Sequence, residues 1–403
     1  MKLSYLCFFK NNILKVKVAV IFILFSFFGF SQSPKLSPNA TISMITVAPG
    51  ESLNDTWGHS AIRIKDNMLG FDVVYNYGTY DFNTPNFYTK FMRGKLLYDL
   101  GVNQFHNFYR YYKQQNRSVV EQVLNLNQEQ KQAYFNYLQN NARPENKKYL
   151  YDFFFDNCAT KLRFVNSEIL KNEVVYKDEL LNNNKTFRDL IYQKLEHHPW
   201  GKYGIDIALG AVIDRKATPK EYTFLPSYIY ENFKTAQIIV DGKPQPLVAK
   251  ENILFKQKEQ HVNGLFFTPF VVFSVLALLV FFLTYLDVKN NKQTKKIDFI
   301  LLFTTGLVGL LVVLLWFATD HTATKNNLNI FWAFFPNLIV SFYVFNEEKN
   351  SFLKKYYLFL ILLLVIMAIL WFLKIQVFNL AMLPIMLMLF VRYAVIVIGK
   401  REN

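Results

Sequence analysis

The chain has 403 residues, 52% of them hydrophobic and 17% aromatic, and carries a net charge of +15. That length allows two or three domains. A basic excess in so apolar a chain, with no basic low-complexity arm and no RNA- or DNA-binding motif, points to a membrane surface and excludes nucleic acid as the expected partner.

Residues 1–31 read as a secretory signal peptide: Lys10, Lys15 and Lys17 precede an apolar run at 18–30, and Ser31, Gln32 and Ser33 suit cleavage. No cysteine follows that run closely, so the mature chain is not itself a lipoprotein. Of the two cysteines, Cys7 lies in the leader. The mature chain is therefore expected to carry one thiol, Cys158, and no internal disulfide.

An external domain is expected over 32–262, large enough for its own core. It opens with strand patterns at 41–48, 59–65 and 71–77, the last two forming a hairpin that begins at His59. Residues 116–141 read as helical. Asn157 is a good N-cap, and Leu162, Val165 and Ile169 continue a helical period behind Cys158. The prolines at 199 and from 226 to 246 mark loops, and 250–261 reads as a polar approach to the membrane.

Five apolar stretches then follow, at about 265–286, 299–317, 330–345, 357–373 and 378–398, each long enough to be taken as a span. The third holds Pro336 and Asn337. Loop 287–296 carries Lys289, Lys292, Lys295 and Lys296, loop 346–355 carries Lys349, Lys354 and Lys355, and the tail has Lys400 and Arg401, whereas loop 319–327 has only Lys325. The positive-inside rule puts the basic loops and the C-terminus in the cytoplasm and residues 32–264 outside, as the leader does independently.

His59 and Cys158 are the candidate chemistry. A thiol in the first turn of a helix meets unpaired N–H groups and the positive end of the macrodipole, both of which favour the thiolate. A histidine can complete a thiolate–imidazole pair. Taken alone, a cysteine is ordinarily a small buried hydrophobe and a strand histidine a satisfied structural one; the pairing and the cap raise the catalytic reading. A third group should orient His59. Asn76 and Tyr77 are both candidates, and a one-residue change of register decides between them. The backbone N–H groups of Cys158 and Ala159 are natural oxyanion donors. Arg93 and Lys95 suit a lipid phosphate, against an ordinary solvated face. The histidines at 59, 106, 197, 198 and 261 show no zinc-ligand spacing, so no metal is expected, and no cofactor. Strands bearing His followed by a helix bearing Cys reverse the papain order, which a circularly permuted papain-like α+β domain explains.

The segments Trp57-Gly58-His59-Ser60-Ala61-Ile62-Arg63, Tyr75 to Phe82, Phe91 to Leu96, Tyr151 to Thr160 and Gly204 to Gly210 resemble Lnb-type lipoprotein N-acyltransferases of Bacteroidota. So does Asp320 to Asn329, between two apolar stretches. One departure is Lys161, where relatives usually carry Arg. The resemblance implies a permuted NlpC/P60-like domain followed by a transmembrane bundle of about five helices in the bacterial inner membrane. It places the nucleophile at Cys158 and the base at His59. It implies a phospholipid acyl donor and a diacylglyceryl-lipoprotein acceptor. The topology puts Asp320 and His321 on the same side of the membrane as the domain, where they are candidates for binding the acceptor or the lipid headgroup, against an ordinary loop. The alternatives are a thiol phospholipase and a cell-wall amidase or endopeptidase; five spans argue against the wall enzyme.

Overall fold

The structure, a computed structural model, describes residues 34–181, 184–240, 242–258 and 266–399. The expected leader with Cys7, His261, and the tail charges Lys400 and Arg401 lie outside the described residues. Ten strands are formed among the described residues: β1 (Thr41–Val47), β2 (His59–Asp66), β3 (Phe71–Thr79), β4 (Leu97–Gln104), β5 (Val119–Leu124), β6 (Lys148–Leu150), β7 (Val174–Val175), β8 (Gln237–Val240), β9 (Lys243–Pro246) and β10 (Val248–Phe255). Seven make one antiparallel sheet in the order β10-β5-β1-β2-β3-β4-β6, and β7-β8-β9 make a small second sheet.

The alternation of side chains assigns each face of the large sheet a core. Ile42, Met44, Ile62, Ile64, Tyr75 and Tyr77 pack on one side with residues of the helices Gln128–Asn141, Cys158–Leu170 and Pro226–Thr235. Ile45, Val47, Ala61 and Val74 pack on the other with Phe105, Phe108 and Tyr112 of the helix Phe105–Gln114. Burial on both faces fixes the register of β2 against β3, with Ile62 opposite Tyr75 and Arg63 opposite Val74.

Several expectations are corrected. Residues 116–141 are not one helix: Val119, Val120 and Val123 are β-branched and make β5, paired with both β1 and β10, and the helix starts after Asn127, whose side chain forms a capping box with Gln130. The polar stretch 250–261 starts within β10, an edge strand on that sheet. Pro199 and Pro226 do not mark loops; each sits at the start of a helix, Pro199–Ala208 and Pro226–Thr235, where the missing N–H has no intrahelical partner to lose.

Beyond the sheets, three helices among the described residues are long and apolar enough to cross a membrane: Pro269–Lys289, Lys295–Phe317 and Glu347–Phe372. Met382–Ile398 is a shorter apolar helix of 17 residues. The third expected span is not a continuous helix. It is broken into Leu328–Phe331, Asn337–Val340 and Ser341–Phe345 around Pro336. Irregular backbone at membrane depth is tolerated where protein covers it. Here Asn337 is fully buried, donating to Thr305 Oγ1 (3.0 Å) and accepting from the Tyr356 hydroxyl (2.5 Å). The broken segment also lies directly on Gly306 and Gly309, where any Cβ would collide with the backbone at Leu338 and Ala333. Gly309→Val is expected to push the segment off this face and lower the unfolding temperature of the purified chain in detergent, an overpacking loss of about 1–3 kcal/mol; an unchanged transition would contradict the close approach.

Residues 206–211 fasten the two parts together. Asn329 donates to Asp206 O (2.9 Å), Asn327 to Ile207 O (2.7 Å) and Gly210 N to Ala323 O (2.9 Å). The Asp206 carboxylate, itself buried, accepts from Arg188 (2.7 Å) on the sheet side and from Asn379 (2.9 Å) on the helical side. A buried ion pair with both partners hydrogen-bonded fixes orientation, so the sheet domain is held in one pose on the helices.

Candidate active site

Asn157 builds the site's floor. Its extended backbone and its side chain cap the helix Cys158–Leu170: Oδ1 accepts from Ala159 N and Thr160 N, both at 2.9 Å, and Asn157 N donates to Thr160 Oγ1 at 2.8 Å. The amide Nδ2 donates to Phe153 O (2.7 Å) and Phe224 O (2.8 Å). Every polar atom of the cap is thereby used, and Cys158 is locked as the first helical residue.

His59 begins β2, and its ring donates from Nε2 to Asn76 Oδ1 at 2.5 Å. An amide oxygen only accepts, so Nε2 carries its proton, which leaves Nδ1 for the thiol, to which His59 is also hydrogen-bonded. The Tyr112 ring stacks on the imidazole (centroids 6.1 Å apart, 26° between planes) and fixes its tilt. The register puts the two candidates for the third residue on opposite faces of the sheet. Asn76 shares the sheet face of Val74, as His59 shares that of Ala61, whereas Tyr77 faces the opposite core and its hydroxyl donates to Asn141 Oδ1 (2.5 Å). The structure thus brings Cys158, His59 and Asn76 together and leaves Tyr77 apart.

Burial pushes the Cys158 thiol up, but the His59 charge, the His59 hydrogen bond and the N–H groups of Ser60 and Ala159 outweigh it and hold the thiol below its ordinary value. Burial pulls His59 down; the Cys158 charge and hydrogen bond and the Asn76 hydrogen bond overcome this and the opposing Arg117 charge, raising it above its ordinary 6.5. Both shifts favour the charged forms, thiolate at Cys158 and imidazolium at His59, the pairing that a thiol nucleophile would need.

The sulfur's outer wall is Gly78, Tyr149 and Tyr151. Gly78 holds φ +91°, and a Cβ there would stand 3.5 Å from Tyr151 Cε2, 3.9 Å from Cys158 Cβ and 4.0 Å from the Tyr149 hydroxyl. Glycine therefore meets a backbone demand and keeps side-chain bulk off the nucleophile. The Tyr149 hydroxyl is buried without a partner among the described residues. Of the two expected oxyanion donors, Ala159 N–H is already engaged by Asn157 Oδ1, while Cys158 N–H has no partner among the described residues. Tyr149, Tyr151, Gly78 and Tyr112 were not singled out from sequence. Tyr151 and Gly78 lay inside motif segments; Tyr149 and Tyr112 carried no signal beyond being aromatic. A cavity of about 420 Å³, lined by Trp57, Gln193, Pro226 and Glu231 among others, lies nearby and includes none of Cys158, His59 and Asn76.

Arg93, Lys95, Asp320 and His321 come together at a different place, where the sheet domain meets the loop after the helix Lys295–Phe317. Asp320 N donates to Arg93 O (2.9 Å), His321 Nε2 to Phe91 O (3.1 Å), and Lys95 Nζ lies 3.7 Å from the Asp320 carboxylate. No group of three or more His, Cys, Asp or Glu is arranged to hold a metal among the described residues.

The family model described as the Lnb N-terminal periplasmic domain matches residues 35–191, and that described as the Lnb transmembrane domain matches residues 259–403. No curated protein and no solved structure matches the chain.

Proposed function

Because this chain belongs to the Lnb family, and is a membrane protein with a periplasmic domain, we propose that it is a lipoprotein N-acyltransferase that carries a phospholipid acyl chain on Cys158. The observation that carries the reading is the Cys158–His59–Asn76 arrangement at a helix N-terminus, its thiol buried and its other two side chains half-buried, in a domain fastened to membrane helices. The domain is read as a circularly permuted papain-like fold: His on a strand precedes Cys on a helix, and geometry rather than chain order decides the chemistry.

Cys158 Sγ attacks an ester carbonyl of the donor. The carbon–sulfur bond forms, the carbon–oxygen bond breaks, and His59 gives its Nδ1 proton to the departing lysophospholipid oxygen. The product is a Cys158 thioester and a neutral His59. The free α-amine of a diacylglyceryl lipoprotein then attacks the thioester; His59 takes its proton, the amide forms, and the thiolate returns. Cys158 N–H and the unpartnered Tyr149 hydroxyl are the donors for the oxyanion in both halves. Tyr149→Phe is expected to slow thioester formation by roughly 10²-fold without moving the pH limits set by His59; a rate within twofold of wild type in single-turnover acylation (roughly, and below the effect of one lost donor) would remove Tyr149 from this role.

The loop holding Asp320 touches the domain, so the Lys-rich turn at the other end of the helix Lys295–Phe317 faces the opposite side of the membrane. That supports an inner-membrane protein with the domain in the periplasm and the C-terminus in the cytoplasm. The test in cells is mass spectrometry of lipoprotein N-termini. Deleting the protein is expected to leave the amine free and the diacylglyceryl group in place; acylation undiminished by deletion would overturn the assignment, and a change in wall cross-links instead would support the amidase alternative.

A further inference from the structure

Between β3 and β4, residues 80–95 form an aromatic projection. Phe82 (66% exposed), Tyr88 (73%) and Met92 (59%) face outward around a buried Phe87. A cluster of this kind marks an interaction surface. Three observations identify what covers it. The projection is seated on the membrane end of the molecule, through Arg93 O to Asp320 N and Phe91 O to His321, in the loop that leaves the membrane-spanning helix ending at Phe317. Its outer strap carries the exposed cations Arg93 and Lys95, the latter tied only by an exposed 3.7 Å pair that exchanges readily with another anion. From the projection a continuous run of rings leads inward: Tyr80 meets Tyr98 at 5.4 Å, Tyr98 stacks on Tyr151 at 4.5 Å, and Tyr151 stands at Gly78 beside Cys158.

We propose that this projection is a lip that takes one acyl chain of a phospholipid from the outer leaflet of the inner membrane, with the phosphate at Arg93 and Lys95 and the chain laid along Tyr80, Tyr98 and Tyr151 so that its ester reaches Cys158. The proposal rests on the acyl-transfer reading above and adds to it how the donor is chosen: by an apolar chain and a phosphate entering from the membrane side. The bound chain covers apolar surface that otherwise faces water. Discrimination is then set by chain length.

The test uses the full chain in nanodiscs and follows Cys158 thioester formation in single turnover with two donors, a long-chain phosphatidylethanolamine and a soluble dibutyroyl phosphatidylcholine. The triple variant Phe82→Ser, Tyr88→Ser, Met92→Ser changes only exposed side chains. It is expected to lose about tenfold or more in kcat/KM for the long-chain donor, chiefly through KM, with the short-chain donor changed less than about twofold. Undiminished use of the long-chain donor overturns the lip, and so does an equal loss with both donors, which would make these side chains part of folding or chemistry. Failure of the wild-type chain to form an adduct on Cys158 with either donor sinks the acyl-transfer reading itself; a wild-type adduct with an undiminished variant sinks the lip alone.

Discussion

Cys158→Ala is expected to form no covalent acyl adduct and to lose turnover by roughly 10⁴-fold or more. Cys158 is the free cysteine of the described chain and the atom on which the other groups converge. The loss should be chemical rather than structural. The helix is capped by Asn157, whose bonds run to Ala159, Thr160, Phe153 and Phe224 and involve no atom of the Cys158 side chain. The variant should therefore keep its thermal transition while losing its adduct. Cys158→Ser should also be nearly inert. A hydroxyl does not ionise at the low value that His59, Ser60 N–H and Ala159 N–H impose on the thiol, so the ion pair never forms. Acyl transfer by the alanine variant within about tenfold of wild type would move the chemistry to another residue.

Asn76→Ala carries the second largest expected effect, a loss of roughly 10²–10⁴-fold, because the imidazole loses the bond that fixes its tautomer and aim. Its signature is in the pH profile. The reactive thiolate–imidazolium pair exists above the Cys158 pKa and below the His59 pKa. Cys158 is lowered and His59 is raised, so the active window opens below the thiol's ordinary value and extends above 6.5. The Asn76 bond is one of the causes that raise His59. Removing it brings the alkaline limb down; the weaker imidazolium then pulls less on the thiol, and the acid limb moves up. The window narrows from both sides. Asn76→Asp should instead shift the alkaline limb up, since a carboxylate stabilises the imidazolium further. The measurement is single-turnover acylation by a soluble activated ester across pH. A uniform loss of rate with both limbs unmoved would mean that Asn76 only supports the fold.

Much of this site is legible in the sequence. The hairpin at His59 follows from strict alternation, and the Cys158 helix from Asn157 and a helical period of Leu162 and Val165. What alternation alone does not fix is which face is which. Asn76 and Tyr77 differ by one position, and only the two cores, Tyr75 with Tyr77 on one side and Val74 on the other, separate them. Tertiary context also overrode local propensity at 119–124, where a Gln- and Glu-containing stretch becomes a central strand because β1 and β10 pair on either side of it. At 199 and 226 the local pattern is ambiguous, because proline punctuates loops and begins helices alike. The break at 336–337 was signalled by Pro336 and Asn337, but that the chain there packs its backbone on Gly306 and Gly309 depends on residues some thirty positions away. Tyr149 stands for what no local pattern announces: a buried hydroxyl becomes informative only when its lack of a partner and its place beside a sulfur are both known.

In the proposed reaction Cys158 carries an acyl chain from phospholipid to the amine of a lipoprotein. The direct measurement is intact-protein and peptide mass spectrometry of the purified full chain in nanodiscs, given a phospholipid with an isotopically labelled acyl chain and then a diacylglyceryl lipopeptide with a free amine. The expected result is a hydroxylamine-sensitive labelled acyl group on the peptide containing Cys158, which disappears on addition of the lipopeptide as the label emerges in an N-terminal amide. No labelled Cys158, or a labelled Cys158 that releases only free fatty acid with the lipopeptide amine left unmodified, would contradict it.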